Sequence, residues 1–388
     1  MTEPGSGGSE ATNEPLGLSG ADYGRNNRAT ATRDDSVAGR WVAVDESGWD
    51  GEQLYARTDR YLSIGSVAID DDSAALIVGK LRQDTALKQP PELKFSHFTG
   101  QRSSRRLDAL AGLIEPLGAL ARRARVYLVD KHFFVTAKII DLLLEEEAHK
   151  QGINLHEGDR ARQLAWTLFD EGPRALGKEG FDRLIETMVG FASTRNRNGT
   201  VATVDALFSE FQRAFARAHR RRVADILAAL LRTRAHAECY LGTLGDPVMR
   251  VPAMEPLIPC LPMIGRLWSR EIGAVSMLVD EHRVLTDDTL DIIAHNATLD
   301  IELAGPAMGV RLRPHSRAVR AVMRGISLAH PSIQLADLIA GAGREVARRH
   351  AGAPSPASER LYPAVIPLIS AESLVPHDSP TRFSSIDQ

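Results

Sequence analysis

Two rhythms of apolar and polar positions run along the chain. Short apolar runs bounded by turn residues predict strands, and apolar residues three or four apart predict helices. The first run, Trp41-Val-Ala-Val44, reads as a buried strand and stops at Asp45-Glu-Ser-Gly48. Tyr61 to Ile69 and Ala74 to Val78, separated by the polar turn Asp70 to Ser73, extend it into an antiparallel meander of three strands. Pro90-Pro91 opens an irregular loop that carries Glu92, Lys94 and His97. Ser103 to Arg122 spaces Leu107, Leu110, Leu113, Ile114, Leu117 and Leu120 as one face of an amphipathic helix. Arg125 to Val129 is a strand ending in Asp130-Lys131, and Phe134 to Lys150 returns to helical spacing. From 157 to 234 the pattern is nearly all helical, divided by a loop at Ser193 to Thr200, until prolines at 247, 252, 256, 259 and 262 break it. Ala274 to Val279 is again a strand, and again it ends in acids, Asp280-Glu281. A helix over Thr289 to Leu303 and an edge strand over Ser316 to Met323 follow. The helix Ser332 to His350 has Asp337 on its apolar side and Arg344, Arg348 and Arg349 toward its end, the charge order that suits the helix dipole.

This order predicts an α/β protein in which residues 39–155 and 270–350 form a discontinuous sheet-bearing core. Residues 156–269 form an all-helical insertion and 351–388 a C-terminal extension, with Leu361 to Leu374 docking as an extended strap. Residues 1–38 have almost no apolar periodicity and read as a disordered tail. A hydrophobic content of 43% and a charged content of 25% are ordinary for a globular protein with a sizeable core. The net charge of −3 leaves no global basic footprint, so any nucleic-acid surface has to be a local patch. Arg195, Arg197, Arg213, Arg217 and Arg220-Arg-Arg222 are such a patch in the helical block, although acids are interleaved with them. Two cysteines, Cys239 and Cys260, make neither a CxxC nor a disulfide framework. With no secretory signal and no membrane-length apolar run, the expectation is a soluble, cytoplasmic protein.

The chemistry lies in the recurrence of strand followed by acid. Asp45, Asp130 and Asp280 each close an apolar run, and Asp337 adds a carboxylate from a face that should be buried. Carboxylates gathered at adjoining strand ends repel one another unless a cation or a proton joins them. Mg²⁺ or Mn²⁺, hard ions that prefer oxygen ligands, suit such a set. Two of them could activate a water and stabilise a leaving oxygen in phosphodiester hydrolysis. Asp45, Asp130 and Asp337 are the expected ligands, with Asp280 or Glu46 assisting. Glu46 leaves the strand on the side opposite Asp45, which also allows it a structural role. Lys94 would neutralise a phosphate, and His97 is read as a packed loop histidine. Two plainer roles remain: Asp130 could pair with Lys131, and Asp280 could cap a loop. His236-Ala-Glu238 with Pro259-Cys260 half-matches the zinc deaminase signature, but Met263 stands where the second cysteine is required. No Walker A loop, dinucleotide fingerprint or nucleophile elbow occurs.

Asp45-Glu-Ser-Gly48, Glu92-Leu-Lys94, Val129-Asp-Lys131 and Gln334-Leu-Ala-Asp-Leu-Ile-Ala-Gly341, taken in order, resemble the domain-of-unknown-function 3800 family. That family looks like a branch of the ribonuclease H-like superfamily. The resemblance covers about 41–150 and 270–350. It implies a mixed sheet whose first strand carries Asp45 and whose last helix returns Asp337 to it, both as metal ligands, with Asp130 next. Where the family often has a polar or charged contact before its last motif, this chain has Ala329-His-Pro-Ser332, so His330 or Ser332 would take that role. The expected activity is that of a metal-dependent nuclease on RNA or DNA, with the helical block setting specificity or self-association. The competing expectation is a catalytically silent module that binds nucleic acid or protein on the same fold. A weaker third is an enzyme acting on a nucleotide rather than a polymer. The nuclease reading requires the carboxylates of Asp45, Asp130 and Asp337 to converge.

Overall fold

The structure, a computed structural model, describes residues 40–52, 54–55, 59–87, 90–100, 104–155, 160–193, 202–243, 252–303, 310–314 and 319–376. The strands are β1 (Arg40–Ser47), β2 (Tyr61–Val67), β3 (Ala124–Asp130), β4 (Val275–Asp280), β5 (Leu299–Leu303), β6 (Val310–Pro314) and β7 (Val319–Gly325). Five of them form a mixed sheet in the order β3-β2-β1-β4-β7, while β5 and β6 pair separately and antiparallel. Only β2 runs against its neighbours; β1 is parallel to β4 and β4 to β7. β1, β3, β4 and β7 therefore deliver their carboxyl ends to one edge of the sheet.

Both faces of β1 to β4 are covered, which is why these strands read as mostly apolar runs, whereas the edge strand β7 is half exposed. Val42, Val44, Leu62, Ile64, Val129 and Met277 face a thick helical layer. In it lie α3 (Lys131–Ile139), α4 (Glu145–Lys150), α5 (Arg160–Leu176), α6 (Lys178–Ala192), α7 (Val204–Arg217), α8 (Arg221–Leu230), α9 (Arg234–Thr243) and α10 (Leu257–Ile272). A π-helical turn at Ile140–Leu144 joins α3 to α4. The 156–269 stretch has no core of its own, because its apolar side chains merge with those of the sheet into one cluster. α11 (Asp287–Thr298) follows β4. Ala43, Val126, Leu128 and Leu278 face the opposite layer. That layer holds α12 (Pro331–His350), α1 (Asp71–Thr85), α2 (Ser104–Ile114) and α13 (Pro356–Val365). The described residues belong to one compact unit. Residues 1–39 lie outside the described residues, as do 194–201, which include Arg195, Arg197 and all but Ser193 of the expected loop.

Several elements differ from the sequence expectation. Ala74 to Val78 is not a third strand but part of α1, whose Asp70 cap accepts from the Ser73 amide at 2.7 Å. Its buried positions, Ala74, Val78, Leu81 and Thr85, keep helical spacing. Pro259 and Pro262 do not end a helix; they sit within α10, Pro259 in its first turn, where a missing amide costs little. The expected 289–303 helix stops at Thr298 and continues as β5. α2 is shorter than its amphipathic pattern suggests, ending at Ile114 and leaving Leu117 fully exposed. The expected strap is a helix, α13, followed by a segment that bridges β3 at Val126–Ile369 and Val129–Leu374. That segment covers an edge strand that would otherwise present unpaired amides.

α12 lies unusually close to the sheet. A side chain at Gly65 in β2 would meet the Ala336 carbonyl and the Ala340 amide of α12, each at 2.4 Å. This contact fixes where Asp337 enters the structure.

Candidate functional site

β1 and β4 pair in register, Val44 opposite Val279, so Asp45 and Asp280 are neighbours one residue further along. Their preceding same-face residues, Ala43 and Leu278, both contribute to the α12 side of the core. Asp45 is 8% exposed and its Oδ1 accepts from the Glu46 amide at 2.7 Å. Gly48, at a φ of 90°, turns the chain out of β1 immediately beyond. α12 then lays Asp337 over the same edge.

Two loops complete the arrangement. In the loop after Pro91, the Phe95 amide donates to Asp337 Oδ2 at 2.6 Å, and Lys94 Nζ lies 2.6 Å from Glu92 Oε1. In the loop after β7, the Ser327 amide donates to Asp280 Oδ1 at 3.3 Å, and its hydroxyl donates to Glu92 Oε2 at 2.6 Å. His97 Nδ1 accepts from the Lys94 amide at 3.1 Å, a structural role that keeps this turn closed.

The electrostatics show that the carboxylates sense one another. Burial pushes Asp45 well above the ordinary carboxylate range, and the charges of Glu46, Asp337 and Asp280 push it further. Burial also raises Glu46, against a hydrogen bond with Asp45 that lowers it. Asp337 is pushed up to about 6, chiefly by burial, although the Phe95 amide and Lys94 oppose the shift. Asp280 rises for the same first reason, held back by the amides of Glu281 and Ser327. Lys94 is held in its charged form first by Glu92 and then by the fields of Asp337 and Asp280.

Glu46 alternates to the other side of β1, where its Oε1 lies 3.9 Å from His282 Nε2. Burial and Arg283 depress His282 to about 4, so the pair carries no attraction at neutral pH. On this side the sequence reading missed Glu255, 1% exposed, which accepts from Trp49 Nε1 at 2.7 Å and from the Leu257 amide at 3.1 Å. Its one sequence signal is a lone acid in the apolar run Met254-Glu-Pro-Leu-Ile258. Burial raises Glu255 to about 7.

Asp130 does not join the cluster. Asp45 is level with Gly65 of β2, and Gly65 with Val126 of β3. Asp130 is therefore two strands away and four residues further along, about 13 Å by strand rise alone. It is fully buried, caps α3 by accepting from the amides of His132 and Phe133, and pairs with Arg60 at 2.5 Å. Its expected partner Lys131 turns instead to Asp50, at 2.5 Å. His330 and Ser332 likewise bond away from the acidic set: both donate to Asp71, whose carboxylate caps α12 from α1. In the helical block Arg220 and Arg222 share Glu171, Arg221 faces Asp225 and Arg213 faces Glu210, so these four of the patch's arginines lie beside three acids.

The structure thus gathers Asp45, Asp280, Asp337 and Lys94, with Glu46 adjoining, and sets Asp130 apart. Their oxygens are donors of the type that hard divalent ions take. Among the described residues, no three His, Cys, Asp or Glu side chains are grouped closely enough to hold a metal ion as they stand. Nor is any described helix long and apolar enough to cross a membrane. No family model, no curated protein and no solved structure matches the chain.

Proposed function

We propose that this protein is a divalent-metal-dependent phosphodiester hydrolase of the ribonuclease H-like type acting on nucleic acid. One observation carries the reading. Carboxylates from β1, β4 and α12, distant in sequence, stand along one sheet edge, where burial raises the proton affinity of all three and the charge of Asp280 adds to it at Asp45 and Asp337. A cluster of that kind has a standing electrostatic demand for positive charge, and Lys94, itself tied to Glu92, meets part of it. The arrangement of the first strand and the last long helix around Asp45 and Asp337 is also what the family resemblance implies.

Asp45 and Asp337 are the proposed ligands of Mg²⁺ or Mn²⁺, with Asp280 replacing Asp130 beside them and Glu46 assisting from the adjoining face. The ion would supply charge to activate a water and to stabilise the departing oxygen. Lys94, more than half exposed, is placed to hold a phosphate oxygen once that oxygen competes with Glu92. The Phe95 and Ser327 amides hold Asp337 and Asp280 in orientation.

Calorimetric titration with Mn²⁺, paired with cleavage of single- and double-stranded RNA and DNA, tests the proposal. Wild type should bind Mn²⁺ and cleave. Asp45→Asn should lose both while its thermal midpoint stays level or rises, because a buried repulsive charge has gone. A wild-type protein that takes up no Mg²⁺ or Mn²⁺ and cleaves none of these polymers would sink the reading. Metal-independent, salt-sensitive binding would then mark a silent binding module.

A further inference from the structure

We propose that Gln334 is a positioning residue that locks the two loops of the acidic site to each other, and so sets how Asp280 stands relative to Asp337 and Lys94. The inference rests on the proposed metal site for its chemistry, but its geometry is independent of any ion.

Gln334 lies one turn before Asp337 on α12 and is 4% exposed. A buried primary amide is costly unless both of its ends are satisfied. Here each end is satisfied by a different loop. Oε1 accepts from the Leu93 amide at 3.0 Å, and Nε2 donates to the Ser327 carbonyl at 2.8 Å. Leu93 is one residue before Lys94 and two before Phe95, whose amide holds Asp337. Ser327 is the residue whose own amide holds Asp280. One side chain therefore grips both segments that orient acids of the site. The Ser327 hydroxyl to Glu92 is a second tie between the same loops, and Glu92 leads on to Lys94.

The regular elements fix only part of the site. β1 and β4 fix Asp45 and Asp280 at their Cα atoms, and α12 fixes Asp337. The side-chain directions of Asp280 and Asp337 depend on two amides outside the sheet and the long helices: Ser327, in the turn after β7, and Phe95, which opens a single 3-10 turn over Phe95–Phe98. Gln334 supplies the fixed reference that a sheet or helix would otherwise give. Groups that orient metal ligands from behind commonly alter metal affinity by roughly tenfold to a hundredfold when removed.

The test compares wild type with Gln334→Met, which keeps volume and removes both hydrogen bonds, and Gln334→Glu, which keeps the acceptor and removes the donor. Two readouts are taken on the full chain: amide hydrogen exchange at Phe95 and Ser327 without metal, and Mn²⁺ affinity by calorimetry. Gln334→Met should speed exchange at both amides and weaken Mn²⁺ roughly tenfold or more. Gln334→Glu should spare Phe95 and release Ser327, a split that a merely space-filling role would not produce. If exchange at β2 amides stays at the wild-type rate, the effect is local and the variants are folded. Equal exchange at Phe95 and Ser327 in all three proteins overturns the proposal, as does simultaneous release of both amides in Gln334→Glu. Exchange that follows the expected pattern while wild type binds no Mn²⁺ upholds the positioning role and defeats the metal reading alone.

Discussion

Glu255 shows how one buried carboxyl acquires a task from its surroundings. The Trp49 indole and the Leu257 amide both donate to it, yet burial prevails and holds it at about 7, with Glu52 and Glu46 adding repulsion. An acid whose folded value lies above its unfolded value near 4.3 binds its proton more tightly in the native state. Its contribution is greatest at low pH and is lost as pH rises from about 4.5 to about 7, by on the order of 3 kcal/mol. His282 and His350, both depressed to about 4, act in the opposite sense and lose stability as pH falls through the same range. The informative quantity is therefore the difference between wild type and Glu255→Gln. Thermal midpoints measured without metal should show wild type losing ground to the variant as pH climbs from 4.5 to 7. A difference independent of pH would mean that Glu255 is ionised throughout. Little along the chain signals this residue, because nothing in Met254 to Ile258 says that the run folds back onto Trp49.

At the scale of elements, the strands are legible where both faces are buried, since such runs stay mostly apolar even where Ser63, Ser66 and Ser276 interrupt them. Ala74 to Val78 misleads because five apolar residues suit either a strand or a buried helical turn. The deciding signal is Asp70 three residues before Ser73, a helix cap rather than a turn. The close seating of α12 is invisible in the sequence, because it depends on small residues facing one another from segments far apart in the chain. Gly65 is the sheet's half of that contact. Gly65→Ala would push a methyl group into the α12 backbone, which cannot yield as a flexible side chain would. It should cost about 1–3 kcal/mol in chemical denaturation and weaken Mn²⁺ binding, since Asp337 moves with the helix. Gly112, exposed in α2 with open space within 4 Å of where a Cβ would stand, gives the contrast. Gly112→Ala should add up to about 1 kcal/mol. If Gly65→Ala is as benign as Gly112→Ala, α12 does not rest on β2 as described.

Across the whole molecule, the parallel strands bring acids to one edge but not to one point. Which strands end in an acid can be read from sequence; how far each strand runs past its neighbour cannot, and that stagger separates Asp130 from Asp45. The fold consequently has two charged corners with opposite energetics. At one, burial raises the proton affinity of Asp45, Asp280 and Asp337, and the charge of Asp280 raises it further at Asp45 and Asp337. At the other, Asp130 is matched by Arg60 and by the first amides of α3, while Lys131 is matched by Asp50 and by the Asp59 carbonyl. Arg344 of α12 reaches the same corner through Asp59, with Nε 2.7 Å from Oδ2. The first corner is stabilised by losing a charge and the second is broken by it. Asp130→Ala removes a helix cap and half of a partly buried ion pair, and should lower stability by about 2–3 kcal/mol. It should leave Mn²⁺ affinity within about twofold, on the two-strand separation alone. Asp45→Asn should show the reverse, with binding lost and stability kept. Measuring both quantities on both variants therefore separates the corners without reference to any substrate. A loss of Mn²⁺ affinity in Asp130→Ala comparable to that in Asp45→Asn would return Asp130 to the ligand set and refute the separation drawn from strand register.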